Sequence, residues 1–130
     1  MRLPAFFFLV IAALIAGTAF HVRAALDGGV PAADGGVQLI VLEVKDCYAC
    51  DLVRQHIQPA YARFPQSREV PLRYVDLNTV GAESLGLAGP ITMVPTIVLM
   101  RDGQEVSRIA GYTGPAIFFE AVEHMLARID

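Results

Sequence analysis

Four short apolar runs along the chain predict β-strands. The first is a continuous β-branched and aliphatic segment broken only by Glu43, which is typical of a central strand covered on both faces. The last two runs are separated by Asp102-Gly103, a hairpin signal that makes them antiparallel neighbours. The predicted strands cover residues 38–44, 70–76, 95–100 and 105–110.

Between and after these strands, apolar residues recur at the spacing of helices. They follow one another at intervals of three and four over residues 50–64, and a proline directly afterwards ends the pattern. Pro59 falls inside this helix and is expected to bend it, because it lacks an N–H and its ring crowds a carbonyl. Residues 79–87 predict a short second helix, and a last helix with an apolar stripe begins at Pro115.

The order of these elements, βα–βα–ββα, determines the fold class. A strand, a helix and a second strand imply a parallel crossover, and the hairpin adds an antiparallel pair. The sequence therefore predicts an α/β domain with a central four-stranded mixed sheet and helices on both faces. Its Cys-Tyr-Ala-Cys segment follows the central strand directly, at the edge where open α/β sheets usually carry their chemistry.

The first 36 residues have a different character from this domain. Residues 1–24 combine a basic start, an apolar run and small residues ending at Ala24, which predicts a signal peptide and a domain outside the cytoplasm. An uncleaved membrane anchor is the alternative, although the run is near the lower length limit for a bilayer span. Residues 25–36 are rich in Gly, Ala and Asp and predict a flexible tether, which leaves 37–130 as the single domain.

The charge balance argues against one class of partner. The chain has 10 Lys and Arg against 13 Asp and Glu, a net charge of −3, and it has no run of basic residues. Binding to a phosphate backbone needs clustered basic side chains. We therefore expect no nucleic-acid partner.

Cys47 and Cys50 are the only two cysteines, and they stand where the first helix begins. At this spacing the two side chains face one another across the first turn and can close a disulfide. Cys47, beside the unpaired N–H groups of the helix start, is the candidate nucleophile, and Cys50, one turn in, is the candidate resolving cysteine. Lys45 favours a thiolate while Asp46 and Asp51 oppose it. A thiolate stabilised only moderately favours a reductant over a strong oxidant.

A structural bridge and a metal site are the alternatives for this pair. A bridge that closes so short a loop constrains the unfolded chain little. Zinc needs three or four ligands, and the domain adds only His56 and His124, neither at ligand spacing. Copper(I) on the two thiolates is the remaining form of metal binding. We expect no metal and no cofactor other than the redox-active pair.

Two further positions carry candidate chemistry. Glu43 is the only ionisable residue of the central strand, and a carboxylate near a reactive cysteine pair could transfer its proton. Pro95 opens a core strand, and a Val-Pro bond beside a redox pair favours a cis peptide. A cis bond would leave the N–H and C=O of Val94 free to pair with an extended substrate segment.

Taken together, these features resemble the thioredoxin superfamily over residues 37–130. They are Cys-x-x-Cys at a helix start, a proline within that helix, Val94-Pro95-Thr96 opening a core strand, an Asp-Gly hairpin and Gly111 before the last helix. The chain departs from thioredoxin at Asp46, where thioredoxin has Trp, and at Tyr48-Ala49, where it has Gly-Pro.

A finer resemblance is to the small periplasmic thioredoxin-like proteins of the bacterial sulfur-oxidation (Sox) system. It rests on Glu43 four residues before Cys47 and on the segments Ile57-Gln58-Pro59-Ala60-Tyr61 and Arg108-Ile109-Ala110-Gly111-Tyr112. Those proteins resemble reductants that keep the cysteine of the thiosulfate-oxidising carrier active. The resemblance implies that the Cys47 thiolate attacks a partner disulfide and that Cys50 releases the product. It also implies that Val94, Pro95 and Thr96 bind the partner's strand, and Tyr48 is expected to contribute to partner choice.

The same resemblance implies the partners. They are a protein disulfide substrate in the periplasm and a membrane thiol-reductant transporter that recharges the pair. A reductant for cytochrome c maturation, which would share the fold, and a copper(I) thiol carrier both stay open as alternatives. An isomerase usually needs a dimer, and no dimerisation segment is visible in this domain, so we expect a monomer.

Overall fold

A computed structural model of the chain describes residues 36–129. The predicted signal peptide and all of the predicted tether except Gly36 lie outside the described residues. The strands are β1 (Val37–Glu43), β2 (Leu72–Asp76), β3 (Thr96–Arg101) and β4 (Gln104–Ala110), the α-helices are α1 (Tyr48–Tyr61) and α2 (Pro115–Leu126), and short 3-10 turns occur at Pro65–Arg68 and Ala82–Ser84. Within residues 36–129, no helix has the length and apolar character needed to cross a membrane.

The four strands form one mixed sheet in the order β2-β1-β3-β4. β1 is parallel to β2, with Leu39 opposite Leu72, and antiparallel to β3, with Val41 opposite Ile97. β3 and β4 are antiparallel. The α/β class, the four-stranded mixed sheet and the parallel crossover through α1 are therefore confirmed.

Both α-helices pack on the same face of this sheet, so the expectation of helices on both faces is wrong for the α-helices of residues 36–129. They cover the odd-numbered side chains of the two central strands, and the fully buried members include Leu39, Val41, Ile97 and Leu99. The buried helical residues of this core are Val53, Ile57 and Tyr61 from α1 and Phe118, Val122 and Met125 from α2. Full burial of such an aliphatic side chain contributes about 1.5–3 kcal/mol, so this face supplies much of the stability of the domain.

The opposite face of the sheet is covered by an irregular segment. Leu77, Val80, Leu85, Leu87 and Ile91 pack against the even-numbered side chains of the central strands. The short helix expected at residues 79–87 is wrong in extent, because only Ala82–Ser84 forms a single 3-10 turn. Gly86 ends that turn with a φ of +66°, and a Cβ there would lie 2.0 Å from the main-chain oxygen of Gly103. The chain therefore passes close to the β3–β4 hairpin at Gly86 and does not continue as a helix.

Local hydrogen bonds and backbone conformations determine where α1 ends and where the β3–β4 hairpin turns. α1 ends at Tyr61, three residues earlier than the sequence predicts, because the N–H groups of Arg63 and Phe64 bond to carbonyls three residues back and tighten the chain. Pro59 lies inside the helix. Asp102 and Gly103 have φ values of 51° and 77°, the left-handed conformations that a tight two-residue hairpin requires. Both the hairpin and the start of α2 at Pro115 are confirmed.

Candidate active site

The two motifs singled out in the sequence meet at one end of the sheet. Leu42 near the end of β1 pairs with Thr96 at the start of β3, because these two strands are antiparallel. The segment that leaves β1 toward α1 and the segment that enters β3 therefore share an edge. We refer to the second segment, residues 91–95, as the cis-proline loop, since the Val94–Pro95 peptide bond is cis.

Cys47 and Cys50 form a disulfide at the start of α1. Cys47 is the N-cap residue, and its Sγ accepts the main-chain N–H of Cys50 at 3.2 Å. Cys47 is partly exposed, whereas Cys50 is only 2% exposed. After reduction, the helix N-terminus and this N–H would stabilise a thiolate on the exposed sulfur. The arrangement suits the predicted roles of an attacking first cysteine and a buried resolving one.

Charged and aromatic side chains surround the cysteine pair on the solvent side. Lys45, Asp46 and Asp51 are all exposed, and Asp46 adopts a φ of +60° in the turn before the helix. Tyr48, between the cysteines, is 77% exposed. A large aromatic ring held in solvent next to a disulfide is available to a binding partner.

The cis-proline loop is held by hydrogen bonds on both sides of its peptide bond. The hydroxyl of Thr96 donates to the carbonyl of Met93 at 2.6 Å, and the N–H of Gly111 donates to the carbonyl of Pro95 at 2.8 Å. Thr96 is buried, so its side chain supports the loop from inside. Val94 makes no hydrogen bond to any residue between 36 and 129. Of the three predicted binding residues, Val94 is thus the one whose main chain is open to a partner.

Glu43, the candidate for proton transfer, is bound to a residue that the sequence did not single out. Its carboxylate accepts two hydrogen bonds from the guanidinium of Arg54, one of them 3.0 Å from Nε. The side chain of Glu43 is 12% exposed and that of Arg54 is 44% exposed. The hydrogen bond and charge of Glu43 raise the pKa of Arg54, and partial burial opposes them.

Arg54 also contacts an aromatic ring of the neighbouring strand. The centre of its guanidinium lies 4.1 Å from the ring centroid of Tyr74, a cation–π contact. Burial raises the pKa of Tyr74 to about 12, and the nearby positive charge of Arg54 opposes the rise. No local pattern could have predicted this cluster, because it joins the end of β1, the second turn of α1 and the middle of β2.

His56 lies farther along α1 and is hydrogen-bonded. Its Nδ1 is 3.2 Å from the hydroxyl of Tyr112, in the segment that follows β4. This contact links the cysteine-bearing helix to the residue next to Gly111, which binds the cis-proline loop. Within the described residues, no group of three or more His, Cys, Asp or Glu side chains is placed to hold a metal ion.

Two concave surfaces within residues 36–129 lie away from the disulfide. A cavity of about 630 Å³ runs along β2 and is lined by residues such as Tyr61 and Leu72, and another of about 440 Å³ lies under the end of α2. Neither is lined by a cysteine or by the cis-proline loop. The disulfide is reached instead from the surface, through the partly exposed Cys47 beside the exposed Tyr48.

Comparison with known proteins gives matches only at the level of structure. No protein-family model and no curated protein matches the chain. The periplasmic thioredoxin SoxS from Paracoccus pantotrophus, in its reduced form, matches with a TM-score of 0.66 and 26% identity, over 72% of this chain and 99% of that chain.

Thioredoxins from two eukaryotes match over a similar part of the chain. Mala s 13 from Malassezia sympodialis has 23% identity and a TM-score of 0.53, over 70% of this chain and 77% of its own. Thioredoxin-2 of the malaria parasite has 16% identity and a TM-score of 0.55, over 69% of this chain and 84% of its own. These neighbours show that the chain has the thioredoxin fold, and the match to SoxS together with the Cys47–Cys50 disulfide at the start of α1 supports thiol–disulfide oxidoreductase activity.

Proposed function

We propose that this protein is a periplasmic reductant that reduces a disulfide on a partner protein, such as the thiosulfate-oxidising carrier of the Sox system. The observation that carries the proposal is the likeness to periplasmic SoxS, which extends over 99% of that chain at 26% identity. The predicted signal peptide supports export, and the position of the partly exposed Cys47 beside the exposed Tyr48 supports a protein substrate.

The reduction proceeds in two exchange steps. The Cys47 thiolate attacks one sulfur of the partner disulfide, a mixed disulfide forms, and the other partner sulfur leaves as a thiolate. Cys50 then loses its proton and attacks the Cys47 sulfur, which releases the second partner sulfur and closes the Cys47–Cys50 disulfide. Two electrons pass to the partner, and no cofactor beyond the cysteine pair is needed.

The cis-proline loop holds the partner during these steps. An extended segment of the partner pairs with the free N–H and C=O of Val94, in the manner of an added β-strand. The exposed ring of Tyr48 contacts the same segment from the other side of the disulfide. The protein acts as a monomer, and a membrane thiol-reductant transporter returns the pair to the dithiol form.

A trapping experiment tests the chemistry and identifies the partner. In Cys50→Ser the mixed disulfide cannot be resolved, so an adduct should accumulate in the periplasm and disappear on treatment with dithiothreitol. The matched control is the double variant Cys47→Ser/Cys50→Ser, which should form no adduct. Capture of the Sox carrier supports the proposal, whereas capture of an apocytochrome c would favour the maturation alternative. Absence of any adduct, with activity retained in Cys47→Ser, would refute the assigned roles.

The direction of electron flow needs its own measurement. Equilibration of the Cys47–Cys50 pair with glutathione should give a reduction potential near that of thioredoxin, about −270 mV. A value near that of the strong oxidant DsbA, about −120 mV, would reverse the proposed direction.

A further inference from the structure

Glu105 and Arg108 form an ion pair on β4 that is largely removed from solvent. The Nε of Arg108 lies 2.5 Å from Oε1 of Glu105, and its Nη2 lies 2.6 Å from Oε2. The side chain of Glu105 is 5% exposed and that of Arg108 is 26% exposed. Charged groups with so little access to water need additional hydrogen bonds to be stable.

The additional hydrogen bonds of this pair all go to the main chain of one segment. Arg108 donates to the carbonyls of Pro90 at 2.9 Å and Gly89 at 3.1 Å. Glu105 accepts the N–H of Ala88 at 2.8 Å. The planar guanidinium is suited to this task, because its five donors can bind a carboxylate and two carbonyls together. The pair thus fixes residues 88–90, which belong to no helix or strand.

Residues 88–90 lead directly into the cis-proline loop. The far end of that loop is fixed by Thr96, which binds the carbonyl of Met93, and by Gly111, which binds the carbonyl of Pro95. Val94 lies between Met93 and Pro95, and the ion pair fixes the chain a few residues earlier, where it enters the loop. The ion pair is therefore placed to set the path by which the chain enters the loop, and through it the orientation of the N–H and C=O of Val94.

We propose that Glu105 and Arg108 are positioning residues for partner binding, acting through the cis-proline loop on Val94. The inference rests on the proposed function, in which Val94 pairs with the main chain of the partner. A purely structural role would change stability and leave the recognition of a peptide main chain unaltered.

The test uses two probes with the same reacting sulfur chemistry. One is a nine-residue peptide of Thr and Ala with a central cysteine, joined to thionitrobenzoate as a mixed disulfide. The other is N-acetylcysteine amide joined in the same way. In a Cys50→Ser background, the Cys47 thiolate attacks the probe's cysteine sulfur, a new disulfide forms, and thionitrobenzoate leaves and is measured at 412 nm. The ratio of the two second-order rate constants reports on contacts made by the peptide beyond its cysteine, and the small side chains of Thr and Ala keep the main chain as their chief source.

The variants are chosen to keep the fold. Arg108→Lys retains the charge beside Glu105, but a single ammonium cannot bind both carbonyls and both carboxylate oxygens. Glu105→Gln retains an acceptor for Ala88 and removes the ion pair. Arg101→Lys is the matched control, because Arg101 is exposed at the end of β3. Circular dichroism of each variant checks the fold.

We expect the rate constant for the peptide probe to fall about tenfold in Arg108→Lys and Glu105→Gln, the effect of one lost charge-assisted hydrogen bond. The rate constant for the small probe should change less than about twofold, and Arg101→Lys should leave both unchanged. If the wild-type ratio is high and both variants keep it, the inference is refuted while the proposed function stands. If the wild-type chain shows no preference for the peptide, partner pairing at Val94 is refuted, and the inference with it.

Discussion

Replacing Glu43 by Gln separates two roles that the carboxylate could have in this enzyme. As a proton carrier it would accept the proton that Cys50 loses before attack. As an ion-pair partner it would fix Arg54, and with it the second turn of α1, against the end of β1. Both hydrogen bonds that the carboxylate accepts come from the guanidinium of Arg54, so its two oxygens are engaged in the ion pair. We therefore expect the ion-pair role to dominate.

The two roles differ widely in the size of the effect. Loss of a general base lowers a rate by about 10²–10⁴-fold. Loss of a half-exposed ion pair costs about 1 kcal/mol in the free energy of unfolding, or roughly 4–8 °C in Tm for a domain of this size. Arg54→Met should cost more than Glu43→Gln, because it also removes the contact with the Tyr74 ring.

One reagent measures the relevant chemical step. Ellman's reagent reacts first with Cys47 and releases one thionitrobenzoate, and the attack of Cys50 on that adduct releases a second. Between pH 6 and 9, the rate of the second phase at 412 nm in Glu43→Gln should differ from the wild-type rate by less than about threefold. In the ion-pair role, Glu43 does not take part in the transfer of the Cys50 proton. Urea unfolding of the oxidised protein should show the loss of stability. Glu120→Gln, at an exposed position of α2, is the control for removal of a charge.

A specific outcome would contradict this reasoning. If the second phase slows about a hundredfold while the stability of Glu43→Gln equals that of the wild type, the carboxylate transfers the proton and the contact with Arg54 is incidental.

Further predictions concern buried hydrogen bonds and glycine positions. Tyr61→Phe removes a 2.6 Å hydrogen bond to the carbonyl of Val70 and should cost about 1–2 kcal/mol in urea unfolding; an unchanged midpoint would contradict this. Burial raises the pKa of Tyr61 to about 12, so the folded chain keeps a proton that the unfolded chain loses near pH 10. Stability should therefore fall between about pH 10 and 12, and less steeply in Tyr61→Phe. Gly103→Ala, with open space around its Cβ, should cost about 1 kcal/mol, and Gly86→Ala clearly more, because its Cβ meets the Gly103 oxygen; equal losses would contradict the close packing.

The fold was predictable where a local pattern and the global packing agree. The central strand is buried on both faces, and its continuous apolar run in the sequence reflects this directly. The structure of the segment around Leu85 was not predictable. Its apolar residues are spaced as in a helix, but its side chains reach the sheet from an irregular backbone. Gly86 was the available signal, since a glycine that must adopt a positive φ ends a helix.

The same division holds for the candidate active site. The cysteine pair and the cis bond before Pro95 follow from short motifs, so the sequence alone reaches them. The contacts of Arg54 with Glu43 and of Arg108 with Pro90 could not be found in this way, because these partners are distant along the chain and are brought together by the fold. Thr96 was expected to bind the partner, but its buried side chain is turned toward the loop.

The hydrogen bonds around Val94 also limit how a partner can bind. The carbonyl of Met93 is occupied by Thr96, and the carbonyl of Pro95 is occupied by Gly111. Of these three consecutive carbonyls, only that of Val94 has no hydrogen bond to another described residue, so it has the most acceptor capacity left for an N–H of a partner strand. A shift of the partner strand by one residue would lose the hydrogen bond to the Val94 carbonyl and would turn the partner's side chains to the other face. In the proposed complex the loop would therefore favour a single register, which would set the place of the partner's cysteine relative to Cys47.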